Sequence, residues 1–133
     1  MTKKLPMENN LAEPYLILVA EDDDISYALL KIILSKSNYK LLRTKNGKDT
    51  VDEIKRNDRI DLVLMDIKLP DLNGEEATRQ IRQFNTSIPV IAQTAYALPG
   101  DKERFLNAGC NDYITKPVSS KKLLSKIYKY VVV

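Results

Sequence analysis

The run Tyr15-Leu16-Ile17-Leu18-Val19-Ala20, closed abruptly by Glu21-Asp22-Asp23-Asp24, decides the fold. Six consecutive apolar residues are short for a buried helix and suit a strand covered on both faces. Directly after the acids, Ile25, Ala28, Leu29, Ile32 and Ile33 recur at i, i+3, i+4, i+7 and i+8, which places them on one helical face. This strand-then-helix pattern repeats downstream. Lys40 to Thr44 reads as a second strand, ended by Asn46-Gly47 and followed by a helix through Val51 and Ile54. Leu62-Val63-Leu64-Met65 is a third strand, closed by Asp66; Pro70 and Gly74 mark a loop, and Ala77, Ile81 and Phe84 form a helical stripe. Pro89-Val90-Ile91-Ala92 is a fourth strand, and Pro99-Gly100 precedes a short helix carrying Phe105 and Leu106. Gly109 stands where a helix C-cap favours glycine. Tyr113-Ile114-Thr115 is a fifth strand, and Leu123, Leu124, Ile127, Tyr128 and Val131 give the last amphipathic helix. Residues 1–14, with two prolines and no periodicity, read as a flexible tail or linker ahead of one domain over 15–133.

Five strand–helix units predict an α/β fold, a doubly wound five-stranded parallel sheet with right-handed crossovers. In such sheets ligands bind beyond the carboxyl ends of the strands, where strand order reverses. The residues at those ends are Glu21 and Asp22, Asp66, Thr94 and Lys116. Carboxylates from distant parts of the chain would therefore converge with one hydroxyl and one ammonium.

Composition narrows the chemistry. The chain has 133 residues, 44% hydrophobic and 29% charged, enough for one packed domain. It contains no histidine and a single cysteine, Cys110. Histidine acid–base catalysis, Ser-His triads, histidine metal ligation and an internal disulfide are all excluded, and a lone cysteine fits a reducing, cytoplasmic setting. The net charge of +3 is too small to make nucleic acid the default partner. No apolar run approaches the roughly 20 residues that span a bilayer, and Glu8-Asn9-Asn10 stands where a signal peptide would be apolar. Asp22-x-Asp24-x-Ser26 opens like an EF-hand loop but has Tyr27 in the glycine position, and Gly47-Lys48 lacks the rest of a phosphate-binding loop.

Neighbouring carboxylates repel unless a cation or proton relieves them. An all-oxygen set suits a hard divalent ion such as Mg²⁺, which keeps several waters and takes few protein ligands. Lys116 supplies a second positive charge, Thr94 a rotatable hydroxyl donor, and an aspartate is an acceptable covalent phosphoryl acceptor. The parts amount to an Mg²⁺-dependent aspartyl-phosphate site.

Four segments carry a family resemblance: Ile17-Leu18-Val19-Ala20-Glu21-Asp22-Asp23, Leu64-Met65-Asp66-Ile67-Lys68-Leu69-Pro70, Thr94-Ala95-Tyr96, and Ala108-Gly109-Cys110-Asn111-Asp112-Tyr113-Ile114-Thr115-Lys116-Pro117. Together they resemble two-component response-regulator receiver domains, most closely those of hybrid sensor histidine kinases. The resemblance implies a flavodoxin-like (βα)5 fold with strand order 2-1-3-4-5. It puts the phosphoacceptor at Asp66 and the metal ligands at Glu21, Asp22, Asp66 and the backbone carbonyl of Lys68. Thr94, Ala95 and Lys116 become the phosphoryl-binding positions, Thr94 and Tyr113 the switch pair, and Lys116-Pro117 a cis peptide. Glu21 stands where aspartate is also common, so its metal contact is expected through water; Lys68 and Tyr96 occupy positions that tune dephosphorylation.

The implied partner is a sensor histidine kinase or a histidine phosphotransfer domain, with no direct nucleic-acid contact and no membrane insertion of this segment. The implied location is the cytoplasm, including the cytoplasmic part of a membrane-anchored hybrid kinase. The domain would catalyse its own phosphorylation and slow hydrolysis, with no separate substrate, and would switch the face made by the fourth helix, fifth strand and fifth helix. Two other readings compete. Asp22-Asp23-Asp24 followed by Ile25-Ser26 fits the Asp-x-Asp of a haloacid-dehalogenase-like phosphatase, which requires the phosphate on Asp22. A phosphate-independent docking module would retain the pocket without using it.

Overall fold

The computed structural model describes residues 14–95 and 98–131, so the expected tail, apart from Pro14, and Tyr96 lie outside the described residues. Five strands, β1 (Tyr15–Ala20), β2 (Tyr39–Thr44), β3 (Leu62–Asp66), β4 (Val90–Thr94) and β5 (Asp112–Thr115), form one sheet in the order β2-β1-β3-β4-β5, with every pairing parallel. Five helices alternate with them: α1 (Asp24–Ser35), α2 (Gly47–Arg56), α3 (Gly74–Arg82), α4 (Asp101–Ala108) and α5 (Ser120–Val131). This is the expected flavodoxin-like doubly wound sheet. Strand order reverses between β1 and β3, so a crevice opens between their carboxyl ends.

Both faces of the sheet are covered, which is why β1 and β3 are nearly continuous apolar runs. Ile17, Val19, Leu62, Leu64 and Ile91 point toward α1 and α5, where Leu30, Ile33, Leu34, Leu123 and Ile127 meet them. Leu18, Ala20, Val63, Met65 and Ala92 point the other way, toward Val51, Ile54, Ala77, Ile81 and Phe105 of α2, α3 and α4. Parallel register sets Val19 beside Leu64 and Leu64 beside Ile91, so alternate residues of three strands share a face.

The helix starts are fixed by side chains that accept from backbone N–H groups left over in the first turn. Asp23 accepts from Ser26 N at 2.8 Å, Asn46 from Asp49 N at 2.7 Å and Asn73 from Glu76 N at 2.9 Å. Each such cap contributes about 1 kcal/mol. Gly109 ends α4 at φ +112°, a left-handed conformation that costs glycine nothing.

In four helices the expected apolar residues differ from those that pack. In α1 the residues that pack are Leu30, Ile33 and Leu34, whereas Ile25, Leu29 and Ile32 are 81%, 45% and 60% exposed. The helix is apolar around most of its circumference, so spacing alone offers two stripes, and the docking angle on the sheet selects one. Helix α3 ends at Arg82, which takes Phe84 off its stripe; the ring is exposed with Lys55 Nζ 5.4 Å from its centroid. Leu106 and Tyr128 are also exposed, because Phe105 alone anchors the middle of the short α4 and Leu123, Ile127 and Val131 suffice for α5.

Candidate functional site

At the carboxyl end of β1 the chain must turn from a fully buried strand into α1. Glu21 makes that turn with no exposed surface, and its N–H donates to the Thr44 carbonyl at 3.0 Å. Arg43 Nε donates to the Glu21 carbonyl at 3.0 Å, while the same guanidinium pairs with Asp24 at 2.9 Å and lies over the Tyr27 ring. Glu21 is thereby fixed from both sides. Asp22, next along, is exposed.

Asp66 ends β3 and is 6% exposed. The Lys68 N–H donates to its Oδ1 at 3.1 Å, and the following loop is held by Ile67 N–H to the Gln93 carbonyl at 3.1 Å and Gly74 N–H to the Ile67 carbonyl at 2.9 Å. Gly74 lets α3 start against this loop, since a Cβ there would stand 2.2 Å from the Asp66 carbonyl oxygen. Lys116 follows β5; its N–H donates to the Thr94 carbonyl at 2.7 Å, and the Lys116-Pro117 bond is cis. From there its ammonium donates to Glu21 Oε1 at 2.9 Å and to Asp66 Oδ2 at 3.1 Å.

One carboxylate oxygen from each of Glu21, Asp22 and Asp66 lies within 4.8 Å of the others. Their cleft, about 330 Å³, is also lined by Ile67, Lys68, Thr94, Ala95 and Lys116. Strand-end positions distant in sequence therefore meet in one place. Tyr113 does not border this cleft. It is half-buried on β5, in register with Ala92, its ring 6.2 Å from that of Phe105, and it borders a separate groove between α4 and α5.

The charges in the cleft do not balance. Two buried carboxylates share one ammonium, and the exposed Asp22 adds a further negative charge. Burial, together with hydrogen bonding to Asp66, pushes the Glu21 carboxyl up to about 7 in spite of Lys116. Burial alone would lower the Lys116 ammonium, but hydrogen bonding to Glu21 and the charges of Asp66 and Glu21 hold it above the ordinary lysine range. An excess of carboxylate oxygens, with no histidine or thiolate, is a donor set that fits a hard divalent cation.

Four residues near the cleft escape a strand-end reading of the sequence. Leu98, Asp101 and Arg104 line it from α4 and the turn before it. Arg104 Nε donates to Glu75 Oε1 at 2.9 Å and its guanidinium sits 3.3 Å from Asp101, tying α4 to α3. Gln93 lies in register between Asp66 and Ile114, wholly buried, and neither of its amide atoms meets a partner among the described residues. A polar residue inside the otherwise apolar β4 was its only signal in the sequence.

Comparison with known proteins agrees with this geometry. A family model described as the response regulator receiver domain matches residues 17–128. The polar-differentiation response regulator DivK of Brucella anthropi is 38% identical, the match covering 89% of this chain and 97% of that protein. Hybrid signal transduction histidine kinase I of Dictyostelium discoideum is 41% identical over 89% of this chain, which spans 8% of that much longer protein. Among solved structures, the receiver domain of a Pseudomonas aeruginosa sensor histidine kinase, with magnesium coordinated in its active-site cleft, is 35% identical with TM-score 0.82, covering 89% of this chain and 98% of that one. The receiver domain of Saccharomyces cerevisiae Ssk1, solved with the histidine phosphotransfer protein Ypd1, is 34% identical with TM-score 0.82, covering 90% of each.

Proposed function

Because this chain belongs to the response regulator receiver domain family, whose members take a phosphoryl group on an aspartate from a histidine kinase or phosphotransfer partner, we propose that Asp66 is the aspartate that takes it here. The carrying observation is the Lys116 ammonium, 3.1 Å from Asp66 Oδ2 at the mouth of a cleft shared with two further carboxylates. The other Asp66 oxygen is held by the Lys68 N–H, so the side chain is oriented before any donor arrives.

Glu21, Asp22, Asp66 and the Lys68 carbonyl would hold Mg²⁺, with Glu21 acting through water; once bound, the ion neutralises the charge that develops on the phosphoryl oxygens. Asp66 attacks phosphorus, the bond to the donor histidine nitrogen breaks, and the electron pair leaves with the imidazole. Lys116 then exchanges its contact with the Asp66 carboxylate for one with a phosphoryl oxygen. The Thr94 hydroxyl and the Ala95 N–H complete the cradle. As Thr94 turns toward the phosphoryl group, Tyr113 moves inward, and the face made by α4, β5 and α5 changes shape. Such coupling is typically on the order of 1–3 kcal/mol.

The donor must approach the open side of the cleft. Ile25, Leu29 and Ile32 form an exposed apolar stripe on α1, beginning three residues after Asp22. We assign this stripe to docking of the partner that carries the phosphohistidine, as a kinase domain or a separate phosphotransfer protein. The exchange takes place in the cytoplasm on this reading, which suits the lone buried thiol of Cys110. No helix among the described residues is long and apolar enough to cross a membrane.

Incubation with a small phosphodonor and Mg²⁺ tests the assignment. The protein should acquire a hydroxylamine-sensitive phosphate, and Asp66→Asn should lose it. Labelling undiminished in Asp66→Asn and abolished in Asp22→Asn would instead support the phosphatase-like reading.

A further inference from the structure

Gln93 follows Val90-Ile91-Ala92 within β4 and is wholly buried. Neither its amide nitrogen nor its carbonyl oxygen has a hydrogen-bond partner among the described residues. A carboxamide in that condition is costly, because it has given up water and received nothing in exchange. Leucine or methionine would fill similar space without that loss. The position of Gln93 in the sheet shows what such a group can serve. Parallel register sets it beside Asp66 on β3 and Ile114 on β5. Side chains alternate along a strand, so Gln93 shares a face with Ile91, as Asp66 does with Leu64 and Lys116 with Ile114. The Lys116 N–H bond to the Thr94 carbonyl carries the ladder one step past β5. Gln93 thus stands between the strands that deliver the Asp66 carboxylate and the Lys116 ammonium. In the resting protein those two are closed on each other. The ammonium donates to Asp66 Oδ2 and to Glu21 Oε1, while Asp66 Oδ1 takes the Lys68 N–H.

We propose that Gln93 is a positioning residue for Lys116, its carbonyl oxygen accepting an ammonium hydrogen once a phosphoryl oxygen has replaced Asp66 Oδ2 as the lysine's acceptor. This rests on the assignment of Asp66 as the phosphoacceptor. An ammonium has three hydrogens, and in the resting protein two are placed on Asp66 and Glu21. While Asp66 draws the ammonium toward itself, the amide of Gln93 stays without a partner. After transfer the ammonium moves with the phosphoryl group and comes within reach of Gln93. Burial fixes the amide, which then holds the lysine against the phosphoryl oxygen. The cost of an unpaired amide is borne by the resting state alone, so the phosphorylated state is favoured by comparison.

The test pairs two measurements on the full chain. Calorimetric titration with beryllofluoride, a mimic of a phosphoryl group on aspartate, at saturating MgCl₂ reads the phosphorylated-like state. Urea unfolding with a chelator reads the resting state. Gln93→Leu and Gln93→Met should each raise the urea midpoint, because the unpaired amide is gone. Each should also weaken beryllofluoride binding by about tenfold, which corresponds to roughly 1.4 kcal/mol. A residue that only fills space would move the midpoint and not the affinity. An affinity within about twofold of the parent in either variant would therefore overturn the proposal, since the amide would then fare alike in both states. A lowered midpoint would overturn it too, by showing that the amide is satisfied before any phosphoryl group arrives. Asp66→Asn tests the underlying assignment and should bind no beryllofluoride. If it binds like the parent, or if the parent binds none, the phosphoacceptor reading fails and this proposal with it. The Gln93 outcomes alone leave that reading standing.

Discussion

Glu21 has no exposed surface, yet it faces a second buried carboxylate across one shared ammonium. Its folded-state carboxyl sits near 7, against an ordinary value of 4.5, so between those values the native protein binds more protons than the unfolded chain. Stability of the metal-free protein must therefore fall as pH rises through that window. The other shifted carboxyls, Asp23 and Asp112, are both lowered, so their effects lie below the ordinary carboxylate range and do not overlap it. In the presence of a chelator, urea unfolding should give a native state more stable at about pH 5.5 than at about pH 8, by on the order of 2 kcal/mol. Glu21→Gln should flatten the trend. A parent protein equally stable at both values would mean that Glu21 titrates like an exposed carboxylate. Sequence could place Glu21 at a strand end, but not bury it, because burial depends on Arg43 and Thr44 of the neighbouring β2.

At the scale of elements, α1 shows what periodicity leaves undecided. Ile25, Leu29 and Ile32 satisfy helical spacing as well as Leu30, Ile33 and Leu34 do, and only packing on β1 and β3 reveals which stripe is spare. Strands β1, β3 and β4 were legible because near-full burial writes itself as an apolar run, and the site was legible because polar residues interrupt those runs at their ends. Arg104 and Asp101 were not, since they reach the cleft from the first turns of α4, which follows the strand end rather than forming it, and Arg104 is held there by its pair with Glu75 of α3. The spare stripe makes a separable prediction. Leu29→Asp should slow phosphoryl transfer from a phosphorylated histidine phosphotransfer domain by at least about tenfold, as expected when an apolar anchor is replaced by a charge. Labelling by a small phosphodonor should stay within about twofold of the parent, because the side chain is not among those lining the cleft. Loss of both activities together would point to a damaged fold, checked by circular dichroism, and loss of neither would remove α1 from the docking surface.

The whole molecule is the unit that makes the site, since Glu21 and Lys116 meet across 95 positions of sequence and Asp66 and Lys116 across 50. An unfolded chain keeps the acidic run Glu21–Asp24 but not Asp66 beside it, so a cation drawn to the three carboxylates binds the native state preferentially. Linkage then turns binding into stability: at a hundred times its dissociation constant such an ion adds about 3 kcal/mol. The same ion competes with the proton on Glu21, so the stability lost between about pH 5.5 and pH 8 should be recovered when Mg²⁺ is present. Urea unfolding at about pH 8, with MgCl₂ and with chelator, measures both effects. The midpoint should rise with Mg²⁺ in the parent and rise far less in Asp22→Asn, whose exposed side chain contributes to the cluster but accepts no hydrogen bond from Lys116. Equal midpoints with and without Mg²⁺, or an undiminished rise in Asp22→Asn, would show that the three carboxylates converge without binding the ion and that the excess charge is relieved by protonation alone.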